Sequence, residues 1–305
     1  RDPCPVYCPL VVRPIFDLRC NCAYVRINCY TLANNTPEAL MDPSVVGTRT
    51  LMLQLARCDL PRGLNTSAMA PHTNLFKIVI LFSNMTRWDA TLPSSVHNLF
   101  IRFAPLATLP TVATTNIPSY FYILYIDSCP LGAIPKALFA QMPYLERVIL
   151  ANISLTVFPD EIATLSQLYD LNLRDNNLTT VPMTWQLQST TNKFLRSVRL
   201  GGNNLQNGPW AMVRQGVIVD LSSNPIASVA GSNLDMPTAI AKGQVVLDDS
   251  PYCNVSPGIV GCRPSLCAPG CYMYMKGDYV CHPVCFNQAC AYDDGDCDDM
   301  GFDRP

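Results

Sequence analysis

The sequence predicts an α/β solenoid of about nine repeats with disulfide-stapled caps and a small disulfide-rich carboxy-terminal module. Three observations lead to this fold class: an apolar pattern that recurs through the middle of the chain, cysteines that cluster at both ends, and a composition that is 49% hydrophobic but only 14% charged. Such a composition supplies a large core and is not typical of disordered chains.

The clearest repeat is the stretch 168–182, LYDLNLRDNNLTTVP, which follows the order LxxLxLxxNxL. This order resembles the leucine-rich-repeat family, whose units span roughly 20 to 29 residues. With the second apolar position as a marker, nine copies lie 21 to 27 residues apart. The markers are Leu53, Ile78, Leu99, Leu124, Val148, Leu171, Val198, Val219 and Val245. The resemblance implies a leucine-rich-repeat horseshoe with a short parallel strand at each marker.

The asparagine of the motif occupies a slot that turns inward where the strand ends. Its amide can hydrogen-bond the backbone of neighbouring turns, which would otherwise be left unsatisfied. Ala104 and Ile153 fill the slot in earlier repeats and cannot do this, so we expect an irregular ladder there. Between strands, the segment 159–168 has helical spacing and predicts a turn or two of helix. Asparagine fills the slot at Asn176, Asn203 and Asn224.

Each repeat buries its apolar face only against its neighbours, so the terminal repeats need caps. Cys20-x-Cys22-x6-Cys29, preceded by Cys4 and Cys8, resembles the amino-terminal cap of extracellular leucine-rich-repeat proteins. Cys253, followed by Cys262, resembles a shortened carboxy-terminal cap. The expected domains are a cap at 1–49, a solenoid at 50–252, a short cap at 253–266, a module at 267–297 and a tail at 298–305.

The last six cysteines have the spacings x3, x9, x3, x4 and x6, and the sequence ends in CAYDDGDC at 290–297. This pattern resembles a Notch-type repeat, a small module that depends on three disulfides and a bound calcium ion because it lacks a real core. The resemblance implies the pairs Cys267 with Cys290, Cys271 with Cys285, and Cys281 with Cys297.

Asp293 and Asp296 match the two acids that the Notch-type family places before the last cysteine. Carboxylate oxygens within one short loop are the ligands that calcium prefers. Asp278 and Asp294 are further candidates. His282 and Phe286 stand where the family favours Asp or Asn, so the alternative is an acidic loop without an ion.

Eight of the 15 cysteines are accounted for by the module and the pair Cys253–Cys262, which leaves seven. Cys129 lies in the slot of a middle repeat and is expected to be a buried free thiol. The other six can form three bridges if Cys58 pairs with the amino-terminal cap. Otherwise Cys58 is a second buried thiol, and one cap cysteine is left for an intermolecular link.

Six sequons and the cysteine clusters indicate a secreted or cell-surface, extracellular protein that carries N-glycans. The chain begins at Arg1, as expected after removal of a signal peptide. No apolar run approaches the roughly 20 residues that a bilayer-spanning helix needs. The predicted glycosylation sites are Asn34, Asn65, Asn84, Asn152, Asn177 and Asn254.

Catalysis is not indicated, because the three histidines lie outside any recognisable nucleophile, metal or phosphate motif. A formal charge of −2 without a basic run argues against a nucleic-acid partner. The variable strand positions instead predict a binding surface on the concave face of the sheet. Its residues are Val79, Leu81, Phe82, Phe100, Arg102, Phe103, Tyr122, Tyr125 and Ile149. The later repeats offer the polar residues Asn172, Arg174, Asp175, Arg199, Asp220, Ser222, Asp248 and Asp249.

A row of aromatic residues among polar ones is typical of protein-binding surfaces. We therefore expect a non-enzymatic recognition protein that binds a protein ligand. The alternative is a structural subunit that self-associates into an extracellular filament or other assembly. A further alternative for the aromatic residues is that degenerate repeats tilt them into the core.

Overall fold

The computed structural model describes residues 3–13, 15, 17–32, 36–188, 193–256, 258–262, 266–278 and 280–298. The chain forms two compact units. The first comprises residues 1–155 and 159–168, and the second comprises residues 156–158 and 169–305.

The first unit contains a sheet whose strands are parallel from β2 onward, with β1 antiparallel to β2. The strands are β1 (Leu10–Val11), β2 (Cys22–Asn28), β3 (Met52–Ala56), β4 (Lys77–Leu81), β5 (Asn98–Arg102), β6 (Ile123–Asp127) and β7 (Arg147–Ala151). Short helical segments lie between them: α1 (Cys29–Leu32), α2 (Pro37–Leu40), α3 (Pro43–Val46), α4 (Thr66–Met69) and 3-10 turns at Thr111–Ala113, Phe139–Gln141 and Asp160–Thr164. The last turn is the helical segment that the sequence predicts within 159–168.

The second unit contains four further parallel strands, β8 (Asp170–Asn172), β9 (Ser197–Arg199), β10 (Ile218–Asp220) and β11 (Val245–Val246). Its helices are α5 (Met183–Gln188), α6 (Trp210–Arg214), α7 (Met236–Ala241) and α8 (Pro251–Asn254). The closing module has the antiparallel strands β12 (Leu266–Ala268) and β13 (Cys271–Tyr272), and 3-10 turns at Met273–Met275, Pro283–Cys285, Gln288–Cys290 and Asp293–Gly295.

The repeat assignment is confirmed, since each of the nine markers lies in its own strand from β3 to β11 and is buried. In the first unit the parallel ladders join equivalent positions, so that Leu53 pairs with Ile78 and Ile78 with Leu99. The sequence did not predict β2, which extends this ladder into the cap through a pair between Val25 and Leu53.

Every repeat leaves its strand through a residue in the left-handed region, four positions after the marker. The φ values at this position lie between 49° and 66°. In the first repeat, the backbone N–H of Arg57 donates to the carbonyl of Leu81, at the end of the next strand, over 3.0 Å. The nine residues are Arg57, Phe82, Phe103, Ser128, Asn152, Asp175, Gly202, Ser223 and Asp249. We call this place the exit position.

Asparagines in the slot of the second unit join neighbouring repeats, as the motif predicts. The Nδ2 of Asn203 donates to the carbonyls of Leu173 and Leu200, and its Oδ1 accepts the N–H of Leu178. Asn224 makes equivalent bonds one repeat further on. Each amide thereby supplies the acceptor for one buried backbone N–H, that of Leu178 or Leu205.

Disulfides tie the amino-terminal cap to itself and to the first repeat. Within the cap they join Cys4 to Cys20 and Cys8 to Cys22, and Cys29 is joined to Cys58 in a repeat slot. The first of the two alternatives for Cys58 is therefore the one observed. Cys129 is a buried free thiol, and burial raises its pKa to about 12.

Candidate functional site

The sequence places nine residues of the first unit on an exposed binding surface, and the structure corrects this for five of them. Val79, Leu81, Arg102, Tyr125 and Ile149 alternate with core residues along their strands, as expected, but they are buried. The remaining four are half-buried: Phe82, Phe100, Phe103 and Tyr122.

Contacts between side chains of adjacent strands explain the burial. Parallel strands lie roughly 4.8 Å apart, so large side chains at equivalent positions cover one another. The ring centroids of Phe100 and Tyr125 are 5.1 Å apart, and the Arg102 guanidinium lies 4.8 Å from the centre of the Tyr125 ring. Arg102 also pairs with Asp127 over 2.9 Å. This face is a packed layer, so the sequence-based surface was wrong in its extent.

Phe82 and Phe103 differ from the buried five because they occupy exit positions. Both have φ values above 50°, which is uncommon for bulky residues, and their rings stack with centroids 4.6 Å apart. The guanidinium of Arg57, the exit residue of the preceding repeat, lies 5.0 Å from the centre of the Phe82 ring. The exit residues therefore form a half-exposed aromatic pair beside a cation, which we call the phenylalanine pair.

A second aromatic row lies at the opposite ends of the strands, and sequence reasoning largely missed it. Tyr122 stacks near His97, and His97 stacks on Phe76, with centroid distances of 5.2 and 4.9 Å. Phe76 is 43% exposed. The available signal was position: Phe76, His97 and Tyr122 each stand two residues before a marker.

In the second unit, polar residues of the strand face contact the closing module. The Nη1 of Arg174 lies 3.0 Å from Asp278 and 3.2 Å from Asp220, and the Nδ2 of Asn172 donates to the Asp278 carbonyl over 3.1 Å. Arg174 is only 1% exposed. The sequence predicts polar side chains here but not that the module covers them, because the contact joins residues 104 positions apart.

The module is held by the pairs Cys267–Cys290, Cys271–Cys285 and Cys281–Cys297. These are the pairs that the Notch-type resemblance implies, and Cys253–Cys262 closes the short cap before them. A small apolar cluster centres on Cys271, Cys285 and Cys290.

The acids of the closing loop could hold a metal ion. Asp293 is fully buried and accepts the N–H of His282 over 2.6 Å, while Asp296 is half-buried and Asp294 is exposed. The main chain is left-handed from Ala291 to Asp294, which folds the loop tightly. This carboxylate set suits calcium. Cys281 and Cys297 lie beside Asp293, but their sulfurs form a disulfide and do not offer thiolates.

Asp278, a further calcium candidate from the sequence, makes polar contacts within the closing module and with the strand face. One of its oxygens accepts the N–H of Val280 over 2.9 Å. The other contacts Arg174 over 3.0 Å and lies 3.4 Å from the Nε2 of His282. Asp278 therefore links the closing module to the strand face through Arg174.

The predicted glycosylation sites that the structure describes have exposed asparagines, namely Asn65, Asn84, Asn152, Asn177 and Asn254. Asn34 lies outside the described residues. Asn84 and Asn177 each follow the slot residue of their repeat, on the loop after the strand.

The repeats, the disulfide-rich caps and the closing module define a leucine-rich-repeat fold that ends in a module of the Notch type. Residues 264–298 match the family model of the Notch LNR domain. No curated protein matches the chain. In the part of the chain that the structure describes, no helix has the length and apolarity needed to cross a membrane.

Three solved structures share the repeat architecture. Human 5T4, also called Wnt-activated inhibitory factor 1 or trophoblast glycoprotein, aligns with a TM-score of 0.59 at 21% identity, over 80% of this chain and 89% of that chain. A leucine-rich-repeat protein of Leptospira interrogans aligns with a TM-score of 0.51 at 17% identity, over 67% and 56% of the two chains. TLR13 in complex with ssRNA13 aligns with a TM-score of 0.52 at 17% identity, over 73% and 30%. At these identities the likeness shows the fold.

Proposed function

We propose that the chain is an extracellular, non-enzymatic recognition protein whose first unit binds a protein ligand through the phenylalanine pair. The observation that carries this proposal is the presence of Phe82 and Phe103 at exit positions. A left-handed conformation costs a non-glycine residue roughly 1 to 2 kcal/mol, and only Gly, Asn and Asp adopt it routinely.

The exit position itself does not call for an aromatic side chain. The other seven repeats fill it with polar residues or glycine: Arg57, Ser128, Asn152, Asp175, Gly202, Ser223 and Asp249. The fold thus sets the left-handed backbone in every repeat, and the aromatic side chains of Phe82 and Phe103 are a choice that this backbone does not impose. Aromatic and arginine side chains are also enriched in protein interfaces.

The test separates binding from stability by replacing both phenylalanines with asparagine, which tolerates the left-handed region. Phe82→Asn/Phe103→Asn should fold at least as stably as wild type by calorimetry. The matched control is Ser128→Asn, which places asparagine at the exit position of a neighbouring repeat. The wild type, the double variant and the control are then immobilised, and the proteins that each retains from extracellular medium of the organism that produces this protein are compared. We expect a protein that wild type and the control retain and the double variant loses.

The competing function is a structural subunit that self-associates through the same pair. Light scattering distinguishes the two, because self-association gives oligomers that the double variant dissociates and the Ser128→Asn control keeps. If neither a retained protein nor an oligomer depends on Phe82 and Phe103, the phenylalanine pair is not a binding surface and the proposal is overturned.

We further propose that the module binds calcium through Asp293 and Asp296, with Asp294 at its margin, and that the exposed sequons carry N-glycans. The ion would neutralise the carboxylates of this short loop, which the disulfide Cys281–Cys297 closes. Chelation should raise hydrogen exchange in residues 280–298 and leave strands β3 to β7 unchanged, and Asp296→Ala should reproduce the effect. An unchanged module would mean that disulfides alone hold it. For the glycans, intact mass should fall after N-glycosidase treatment.

A further inference from the structure

A groove of about 560 Å³ lies on the second unit, along the segments that connect its strands. Its lining includes Thr179 and Thr180, from the segment after β8, and Asn204, Gln206 and Asn207, from the segment after β9. Its volume falls within the range of roughly 300 to 1,000 Å³ that is usual for ligand sites. We call this feature the loop groove, since it is built from loops of adjacent repeats.

The loop groove is polar but nearly uncharged. Among the described residues that line it, only Arg214 carries a charge, and its guanidinium donates to the carbonyl of Ser232. Hydroxyl groups and side-chain amides supply most of the remaining polar atoms, and both kinds of group can donate and accept hydrogen bonds. A neutral ligand rich in hydroxyl groups therefore fits this lining better than an acidic or a basic one. Carbohydrate is the biological ligand of that chemistry.

One amide of the loop groove is held in a fixed orientation. The Oδ1 of Asn207 accepts the N–H of Gly208 over 2.9 Å and the indole N–H of Trp210 over 2.6 Å. A Cβ atom on Gly208 would lie 2.5 Å from Cη2 of Trp210, so glycine lets the main chain approach the ring. The Nδ2 of Asn207 makes no hydrogen bond within the described part of the chain. It is therefore a positioned donor that a ligand can use.

A source of carbohydrate lies at the edge of the loop groove. Asn177 is an exposed sequon asparagine, and the threonine of its sequon, Thr179, lines the groove. Asn177 and Asn204 are equivalent, because each follows the slot asparagine of its repeat. The N–H of Asn204 donates to the carbonyl of Leu178 over 2.9 Å, and adjacent strands lie roughly 4.8 Å apart. A glycan on Asn177 would thus begin about one repeat spacing from a lining residue.

We propose that the loop groove binds the first sugars of an N-glycan on Asn177, so that this glycan lies along the loops instead of extending into solvent. The proposal rests on the N-glycosylation proposed above and assigns a site to one of the glycans. Covalent attachment gives the ligand a high effective concentration, so modest contacts are enough to hold it. The phenylalanine pair and the calcium site are not involved.

The first experiment measures access to the glycan. The full chain is secreted from insect cells, and glycopeptide mass spectrometry gives the occupancy of each sequon. N-glycosidase is then added to the native protein, and release at Asn177 is timed. Thr180→Val/Gln206→Met removes two polar groups of the loop groove, nearly preserves side-chain size and should speed release at least fivefold. The matched control Thr156→Val/Gln166→Met makes the same changes at exposed residues outside the groove and should keep the wild-type rate.

The second experiment measures the effect of the glycan on the loops by hydrogen exchange. Asn177→Gln removes the glycan and should speed exchange in residues 204–214 at least threefold. The same substitution in Thr180→Val/Gln206→Met should change that segment little, because the glycan is already undocked there. The control Asn254→Gln removes a different sequon of the second unit and should leave 204–214 unchanged.

Docking is overturned if the groove variant and wild type release the Asn177 glycan at the same rate, or if Asn177→Gln leaves exchange in 204–214 unchanged. An unoccupied Asn177 beside occupied sequons would also overturn docking but leave the glycosylation proposal standing. A chain without any N-glycan would overturn both. Melting temperatures within a few degrees of wild type establish that each variant is folded, and Gln206→Met alone replaces the groove variant if the double variant does not fold.

Discussion

A Cβ atom on Gly63 would lie 2.3 Å from Cγ of Trp88. Trp88 is fully buried, and its indole N–H donates to the carbonyl of Leu64 over 2.7 Å, so the ring has no room to retreat. The φ of Gly63 is also +65°. Two independent constraints therefore require glycine here.

Gly63→Ala should destabilise the first unit by about 2 to 4 kcal/mol, the sum of a left-handed alanine and an overpacked core. Gly132→Ala is the matched control, since Gly132 has a φ of +72° and no atom of the described part of the chain lies within 4 Å of the added Cβ. The control should cost only about 1 kcal/mol. Calorimetric melting temperatures measure both, and equal losses would show that the Trp88 contact adds nothing.

Asn203→Ala should cost about 1 to 3 kcal/mol, because it leaves the buried N–H of Leu178 without its acceptor. The neighbouring Asn204 is exposed, and Asn204→Ala serves as the control with an expected change within about 0.5 kcal/mol. Denaturant unfolding, monitored by circular dichroism, compares the two. If Asn203→Ala lowers the free energy of unfolding no more than Asn204→Ala does, the slot asparagine does not stabilise the fold.

His72 should make the first unit acid-sensitive. Burial lowers its pKa, its Nε2 donates to the carbonyl of Met41 over 2.9 Å, and its buried Nδ1 has no hydrogen-bond partner among the described residues. A depressed histidine pKa means that the folded state binds fewer protons than the unfolded state, so stability is lost as the pH falls below about 6.5.

His72→Gln removes this titration. Between pH 7.5 and 5, the melting temperature of wild type should therefore fall more steeply than that of the variant. Parallel slopes would show that protonation of this ring carries no cost.

Asp248 should have the opposite effect of pH in the second unit. Burial, together with the nearby charges of Asp220 and Asp249, raises the pKa of Asp248 to about 6. A raised carboxyl pKa favours the folded state at low pH, and this contribution is lost as the pH rises from about 4 to about 6. Asp248→Asn should accordingly stabilise the protein at pH 7.5 by about 1 kcal/mol after allowance for solvent screening. At pH 3.5 the two proteins should melt together; a benefit independent of pH would contradict this charge-based account.

The sequence predicts most of the repeat architecture. In each repeat, an apolar marker such as Leu171 identifies the core position of the strand, and a slot residue such as Asn203 identifies the turn that follows. The sequence does not predict β2, because this strand lacks the repeat motif. In the structure its Val25 nevertheless pairs with Leu53 of β3. Local patterns describe one repeat at a time. They therefore say which residues alternate along a strand but not how adjacent repeats fill the space beside them.

That limit explains the binding surface. Tyr125 points away from the core as the alternation predicts, yet Phe100 and Arg102 of the neighbouring strand cover it. The contact between Arg174 and Asp278 could not be predicted for the same reason, because no local pattern near Arg174 indicates a partner so far along the chain. The left-handed conformation of Phe82 could not be predicted either, because the repeat motif specifies the apolar positions and the slot but not the residue at the exit position.

The exit position also has a meaning for how such a chain can change. Eight of its nine occupants are not glycine, so nearly every repeat retains strain that one substitution could relieve. Glycine introduced at Ser128 or Ser223 should stabilise the fold while leaving every core contact in place. A substitution at the exit position can therefore change the stability of the fold and the exposed side chain in one repeat without altering the others. The exit positions are therefore the first places to substitute when a more stable scaffold or a different binding specificity is wanted.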